Sequence, residues 1–175
     1  MHKFLVVIDM QNDFVSGSLG TAEAKAVVPC VMKRVEAALA EGRTTVFTQD
    51  THGRDYLQTS EGEKLPVEHC IEGTKGWEID EALAPFAAQT LRKPTFGCLA
   101  LVDLLSEVSE RDGATLDIEL VGVCTDICVV SNALLLRAHF PEATIRVYAD
   151  SCAGSTPQRH DAALDVMRSC QIDVK

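Results

Sequence analysis

Short, unbroken apolar runs alternate along this chain with longer stretches whose apolar residues recur at helical spacing. Phe4 to Ile8 is continuous and apolar, as a strand buried on both faces should be, and it ends at Asp9. Residues 10–22 read as a Gly/Ser loop. A helix is predicted over Val27 to Glu41, with Pro29 in its first turn and Gly42 as its stop. Thr44 to Gln49 is a second strand ending at Asp50, and the long polar stretch from there to Trp77 has the character of a functional loop. A short helix is predicted at Glu78 to Leu83 and a third strand at Thr90 to Lys93, closed by Pro94. Leu101, Leu104, Leu105 and Val108 mark one face of a helix over Ala100 to Glu110. Ile118 to Val123 and Thr144 to Ala149 are further strands. Ser155, Thr156 and Pro157 then cap a helix reaching Ser169, and the closing IDVK is a candidate sixth strand.

The stretch that organises the rest is Val121 to Leu136, VGVCTDICVVSNALLL: a strand, a short turn, and a helix apolar nearly all round. With the helix beginning near Ile127, Cys128 falls in the first turn, where backbone N–H groups lack intrahelical partners. The positive end of the helix dipole favours a thiolate there, and the same amides suit an oxyanion. The plainer alternative is a small buried core cysteine. The all-round apolar helix is either deeply buried or part of a homo-oligomer surface.

Repeated β-α units with buried strands predict an α/β fold: a three-layer α/β/α arrangement of residues 1–175 as one domain, around a mostly parallel, roughly six-stranded sheet. Such sheets bind ligands at the carboxyl ends of their strands. Asp9, Asp50, Lys93 and the turn carrying Cys128 each follow a strand, so one rim gathers acid, cation and thiol. Each alone has an ordinary explanation as a loop cap or a solvated charge. Together they make a nucleophilic site in which a carboxylate takes the thiol proton and an ammonium steadies the charge.

Composition narrows the class. A formal net charge of -10 leaves no basic stripe for phosphates, which argues against a nucleic-acid partner. The N-terminal apolar run is too short for a signal peptide or a membrane span. Seven cysteines without paired spacing suggest reduced thiols in a cytoplasmic protein. Asp50, His52 and His69 offer one oxygen and two imidazoles, a set suited to zinc, iron or manganese with open positions. The alternative is a histidine bonded to a loop carbonyl. His139, His160 and His2 have ordinary places at helix ends and the terminus.

Five segments in order, VVIDMQNDF at 6–14, FTQDTH at 47–52, HCIEGTKGWEI at 69–79, RKPTFGCL at 92–99 and VGVCTDICV at 121–129, resemble the isochorismatase-like cysteine hydrolases, and among them the nicotinamidase-related amidases. The resemblance implies a catalytic triad of Asp9, Lys93 and Cys128. It also implies an oxyanion hole at the amides of Cys124 and Cys128, with Val123–Cys124 as the candidate cis peptide. Cys124 departs from the small or apolar residue usual in the family. The metal, zinc foremost, would sit on Asp50, His52 and His69 and bind a substrate pyridine nitrogen, with Glu61 as candidate fourth ligand and Asp55 behind it. Phe14, Phe96 and Trp77 are the candidate aromatic contacts for a flat substrate, with Gln11 a further candidate contact, while Gln11 and Asp13 otherwise orient Asp9 or close its loop. The implied activity is deamidation of nicotinamide or a related small amide by a homo-oligomeric enzyme. The loop from Thr51 to Leu65 departs from the familiar nicotinamidase pattern, which keeps N-carbamoyl and ureido substrates open. A catalytically idle binding or assembly module is the alternative from another class. An isochorismatase, which would dispense with the thiol and these metal ligands, fits less well.

Overall fold

The computed structural model describes residues 1–175, the side chain of Asp112 excepted. Strands β1 (His2–Ile8), β2 (Thr44–Asp50), β3 (Thr90–Lys93), β4 (Leu116–Val123), β5 (Thr144–Ala153) and β6 (Asp173–Val174) form one all-parallel sheet in the order β3-β2-β1-β4-β5-β6. Alternate side chains of β1 serve opposite faces. Phe4, Val6 and Ile8 join a core beneath helices α4 (Leu99–Asp112), α5 (Val130–His139) and α6 (Pro157–Ser169). Leu5 and Val7 join the core under α2 (Ala22–Ala40). The three-layer α/β/α expectation therefore holds. No helix among the described residues is long and apolar enough to cross a membrane.

The strand order reverses between β1 and β4: the chain winds outward through β2 and β3 on one side, then through β5 and β6 on the other. Parallel sheets open a crevice at such a switch point, outside the carboxyl ends of the two diverging strands. Asp9 follows β1 and Cys124 follows β4, so topology alone sets them side by side. Gly122 makes the approach close, because a Cβ there would lie 2.1 Å from the Ile8 carbonyl oxygen, and its φ of 119° is open only to glycine.

Several local expectations are corrected. Residues 10–22 are not all loop: α1 (Asn12–Val15) forms a single turn, and α2 begins at Ala22. Thr21 caps α2 by accepting from the Ala24 amide, and the Ala-rich turns that follow propagate without any apolar periodicity to reveal them. Pro29 thus lies inside the helix and not in its first turn. No helix spans Glu78 to Leu83; Ile79 bridges to Gln11, and a 3₁₀ turn covers Ala84–Phe86. Within the long loop stand a 3₁₀ turn at Tyr56–Gln58 and the short α3 (Ser60–Lys64). β5 runs on to Ala153 because a bulge opposite Leu120 and Gly122 lets it pair again with the end of β4. The apolar surplus of α5 is taken up by α4, α6 and the turn before it, with Val130, Leu134 and Leu135 half-buried against the core.

Candidate active site

Asp9 ends β1 in the left-handed region at φ 48°, an uncommon conformation for a residue with a side chain. Its carboxylate is buried. Oδ1 accepts from Thr48 Oγ1 at 2.7 Å, and the same hydroxyl accepts from the Asp9 amide at 3.3 Å. Lys93, at the end of edge strand β3, runs inward until only 1% of it is exposed. Its Nζ lies 2.7 Å from Asp9 Oδ2 as an ion pair, and it donates to Asp50 Oδ1 at 3.2 Å, the Thr95 carbonyl at 3.1 Å and Cys128 Sγ at 3.5 Å. The three residues expected to form a triad are thus within one ammonium's reach.

Cys128 sits in a turn wider than the α-helical one expected for it. Residues Thr125–Val129 form a π-type turn, with the Val129 amide donating to the Cys124 carbonyl at 3.0 Å, before α5 starts. The Val123–Cys124 peptide is cis. Asp126, inside the turn, accepts from the Ser155 amide at 2.7 Å and from its hydroxyl at 2.6 Å, pinning the turn to the start of α6.

Electrostatics differ from the simple dipole expectation. Burial pushes the Cys128 thiol well above its ordinary pKa, the Asp9 charge adds to this, and Lys93 only partly opposes it. Burial also raises Asp9 against the pull of Lys93. Lys93 itself is raised: desolvation would lower it, but Asp9, Cys128 and Asp50 together outweigh that. Burial therefore disfavours the Cys128 thiolate beside the Asp9–Lys93 pair.

Beside this cluster, Asp50, His52 and His69 present one ligand atom each, all within 4.8 Å of one another and all on buried residues. Asp50 divides its oxygens: Oδ1 faces Lys93, while Oδ2 lies 2.9 Å from His52 Nε2 and 3.7 Å from His69 Nε2. Burial works to raise Asp50, yet the adjacent His52 imidazole and Lys93 hold it below the usual carboxylate range. His69 Nδ1 pairs with the Val67 carbonyl at 2.8 Å, which turns Nε2 toward the cluster. His52 Nε2 is buried without an aligned hydrogen-bond partner. An inward pair of imidazole nitrogens, one orphaned, beside an ionised carboxylate is what a divalent cation requires, so these residues fit a metal. Glu61 Oε1 stands 3.8 Å from His52 Nε2 and 3.7 Å from His69 Nε2, placed as a fourth donor, whereas Asp55 is exposed at the start of the 3₁₀ turn. The buried Tyr56 ring packs on both histidines, with centroids 4.7 and 4.9 Å away.

Both clusters open on one cavity of about 620 Å³, walled by Phe14, Glu61, His69, Phe96, Cys124 and Cys128 among others. Phe14 is buried, with its ring centroid 5.5 Å from that of His69; Phe96 is 46% exposed. Gln11 and Trp77 do not line it. The Gln11 carboxamide is fully engaged: it accepts from the Asp50 amide at 2.7 Å and donates to the Asp50 and Trp77 carbonyls at 2.8 Å each, clamping the end of β2. Trp77 donates from Nε1 to Thr51 Oγ1 at 2.9 Å under the Arg92 guanidinium. Asp13 closes its loop, accepting from the Cys70 amide at 2.8 Å and so fixing the residue after His69. Sequence reasoning missed Thr48, although period-two alternation from Asp50 places it on the same strand face. It also missed Arg159 and Lys64, which line the cavity from α6 and α3 with no local pattern to announce them.

An isochorismatase domain family model matches residues 3–174. The nicotinamidase of Schizosaccharomyces pombe is 25% identical over 99% of this chain and 92% of its own length. The crystal structure of nicotinamidase PncA from Bacillus subtilis superposes with a TM-score of 0.84, at 28% identity over 99% of each chain. N-carbamoylsarcosine amidase from Thermoplasma acidophilum gives a TM-score of 0.80 at 26% identity, over 100% of this chain and 96% of its own.

Proposed function

Since this chain belongs to the isochorismatase family, we propose that it is a metal-containing cysteine amidohydrolase that converts nicotinamide, or a closely related small amide, to the acid and ammonia through a thioester on Cys128. The observation that carries this reading is the Lys93 ammonium held between Asp9 and Cys128, whose thiol lines the same cavity as Asp50 and His69.

The residues divide the reaction as follows. Asp9 takes the proton of Cys128 as the sulfur attacks the carboxamide carbon. Its burial-raised affinity for protons makes it a base that can hold that proton and return it. The backbone amides of Cys124 and Cys128 receive the tetrahedral oxyanion. The C–N bond then breaks, ammonia leaves with the proton from Asp9, and the acyl group stays on sulfur. Asp9 next deprotonates a water that attacks the thioester carbonyl, the acid departs, and Cys128 recovers its proton. Lys93 keeps its charge throughout and stabilises whichever of the Asp9 carboxylate and the Cys128 thiolate carries the negative charge. Asp50, His52 and His69, with Glu61 as fourth donor, would hold a divalent ion, zinc being suited to this oxygen and nitrogen set; when bound, it supplies an electrophilic anchor for a pyridine nitrogen. Phe14 and Phe96 flank a flat ring.

A second reading is hydrolysis of an N-carbamoyl or ureido acid. It is favoured by Arg159 and Lys64, two cations on the cavity wall with no ion pair among the described residues, and by the likeness to an N-carbamoylsarcosine amidase. Ammonia release from nicotinamide and from a set of N-carbamoyl amino acids, by wild type and Cys128→Ala, tests both. Turnover that survives in Cys128→Ala eliminates the thioester scheme. Turnover of the carbamoyl acids alone selects the second reading, and no turnover by wild type would leave the idle module.

A further inference from the structure

Asn132 lies in the first turn of α5, four residues beyond Cys128, with no exposed surface. Its carboxamide makes three hydrogen bonds to three separate points of the chain. Nδ2 donates to the Cys128 carbonyl at 2.8 Å and to the Phe96 carbonyl at 3.1 Å, and Oδ1 accepts from the Cys98 amide at 2.9 Å. One bond is therefore local to the turn that carries the nucleophile. The other two reach the segment Pro94 to Cys98, which leads from Lys93 into α4. That segment also holds the lysine: the Thr95 carbonyl accepts from Lys93 Nζ at 3.1 Å. At its middle, Gly97 lies so near α5 that a Cβ there would sit 3.3 Å from Leu135.

Among the described residues no other side chain hydrogen-bonds both the backbone of the Cys128 turn and the backbone of the Lys93 loop. The Lys93–Cys128 separation of 3.5 Å depends on two segments that come from opposite sides of the sheet's switch point, and no ladder of strand hydrogen bonds ties those segments together. An apolar residue of similar size would fill the same space under α5 but leave two carbonyls and an amide without these partners. We propose that Asn132 is a positioning residue, a three-point strap that sets the lysine loop against the nucleophile turn and so maintains the register between ammonium and sulfur. This rests on the reading above that Lys93 and Cys128 act on the same substrate.

Two substitutions separate the strap from a merely local role. Asn132→Ala removes all three bonds. Asn132→Thr keeps a hydroxyl that can return to the carbonyl four residues back, here that of Cys128, but cannot reach Phe96 or Cys98. The strap predicts that both variants lose kcat by about 10- to 100-fold with KM changed less than about twofold, since a misplaced group of about 1 Å costs rate on that scale. It also predicts that the rate of Cys128 alkylation by iodoacetamide, followed by peptide mass at that cysteine, changes several-fold in both variants. Wild-type kcat and alkylation in Asn132→Thr would overturn the proposal by showing that only the local bond matters, and so would a rise in KM at constant kcat. If Asn132→Ala fails to fold, Asn132→Thr decides alone. Should wild type hydrolyse no amide, the functional reading falls while the alkylation rates still judge the strap.

Discussion

Two buried clusters of charge occupy the same sheet, and they are built differently. On the face covered by α2, Arg43 pairs with Glu119 at 3.0 Å, Asp117 at 3.4 Å and Glu41 at 3.1 Å. Arg146 pairs with Asp117, Tyr148 donates to Glu119 at 3.0 Å, and the Arg34 guanidinium covers the Tyr148 ring. Two acids from β4 thus meet two guanidiniums, and Arg43, though burial would lower its pKa, is raised further by Asp117 and Glu41. At the carboxyl rim, Asp9 and Asp50 gather on the Lys93 ammonium, Glu61 stands beside two imidazoles turned inward, and a cavity in front carries Arg159 and Lys64 on its wall. Balanced charge without an opening holds a fold together. Buried acid and imidazole groups that face a cavity leave a place for a cation, and that difference marks the rim as the candidate site.

The sharpest way to break the comparison is at the sulfur. Cys128→Ala should reduce ammonia release by about 10⁴-fold or more while lowering the thermal midpoint only slightly, because the substitution removes the proposed nucleophile but only one buried sulfur from the core. Activity and melting curves measured on one preparation check both halves. Next in size is metal removal. Dialysis against a strong chelator should lower activity by at least about tenfold and lower the Tm, both restored by added zinc, whereas His52→Ala should fail to recover metal content measured by elemental analysis. An unchanged metal content in His52→Ala would dissociate the histidines from the ion.

The other cluster should respond in the opposite sense. Arg43→Met leaves Asp117 and Glu119 buried with one partner fewer and should cost about 3 kcal/mol of stability in urea unfolding, with kcat per folded molecule unchanged. The smallest effect is alkaline. Burial, then the bond to Glu119, raises the Tyr148 phenol above its ordinary value of 10.0. A raised pKa means that its contribution is full below pH 10, where the unfolded phenol is still neutral, and is lost as pH climbs from there through the folded value. Wild type should therefore lose Tm faster than Tyr148→Phe above pH 10, and parallel curves would show that the phenol is not linked to folding.

Much of the fold was legible because buried parallel strands announce themselves as unbroken apolar runs. β1 was visible in this way and β2 and β4 as shorter β-branched stretches, and Asp9, Asp50 and Lys93 could be placed at strand ends. The acidic and imidazole cluster was legible as a motif, since Asp50 and His52 are two apart on one strand exit. The start of α2 was not, because Ala22 to Ala26 form helix by propensity and capping and show no periodicity. The real work of Gln11 was hidden as well: nothing near residue 11 reveals that its carboxamide meets the backbone of Asp50. The same holds for Asn132, whose partners at Phe96 and Cys98 are more than thirty positions away.

From its amino acids alone this protein declared a parallel α/β sheet, the residues that end its strands and the chemical types available at the rim, because periodicity and chain order are local properties that a linear text records. Only the folded chain decided the order β3-β2-β1-β4-β5-β6, the widened turn under Cys128, the burial that disfavours a thiolate there and which polar groups clamp the backbone. Those depend on distance and burial between residues far apart in sequence, and the dielectric around a sulfur is set by whatever packs against it.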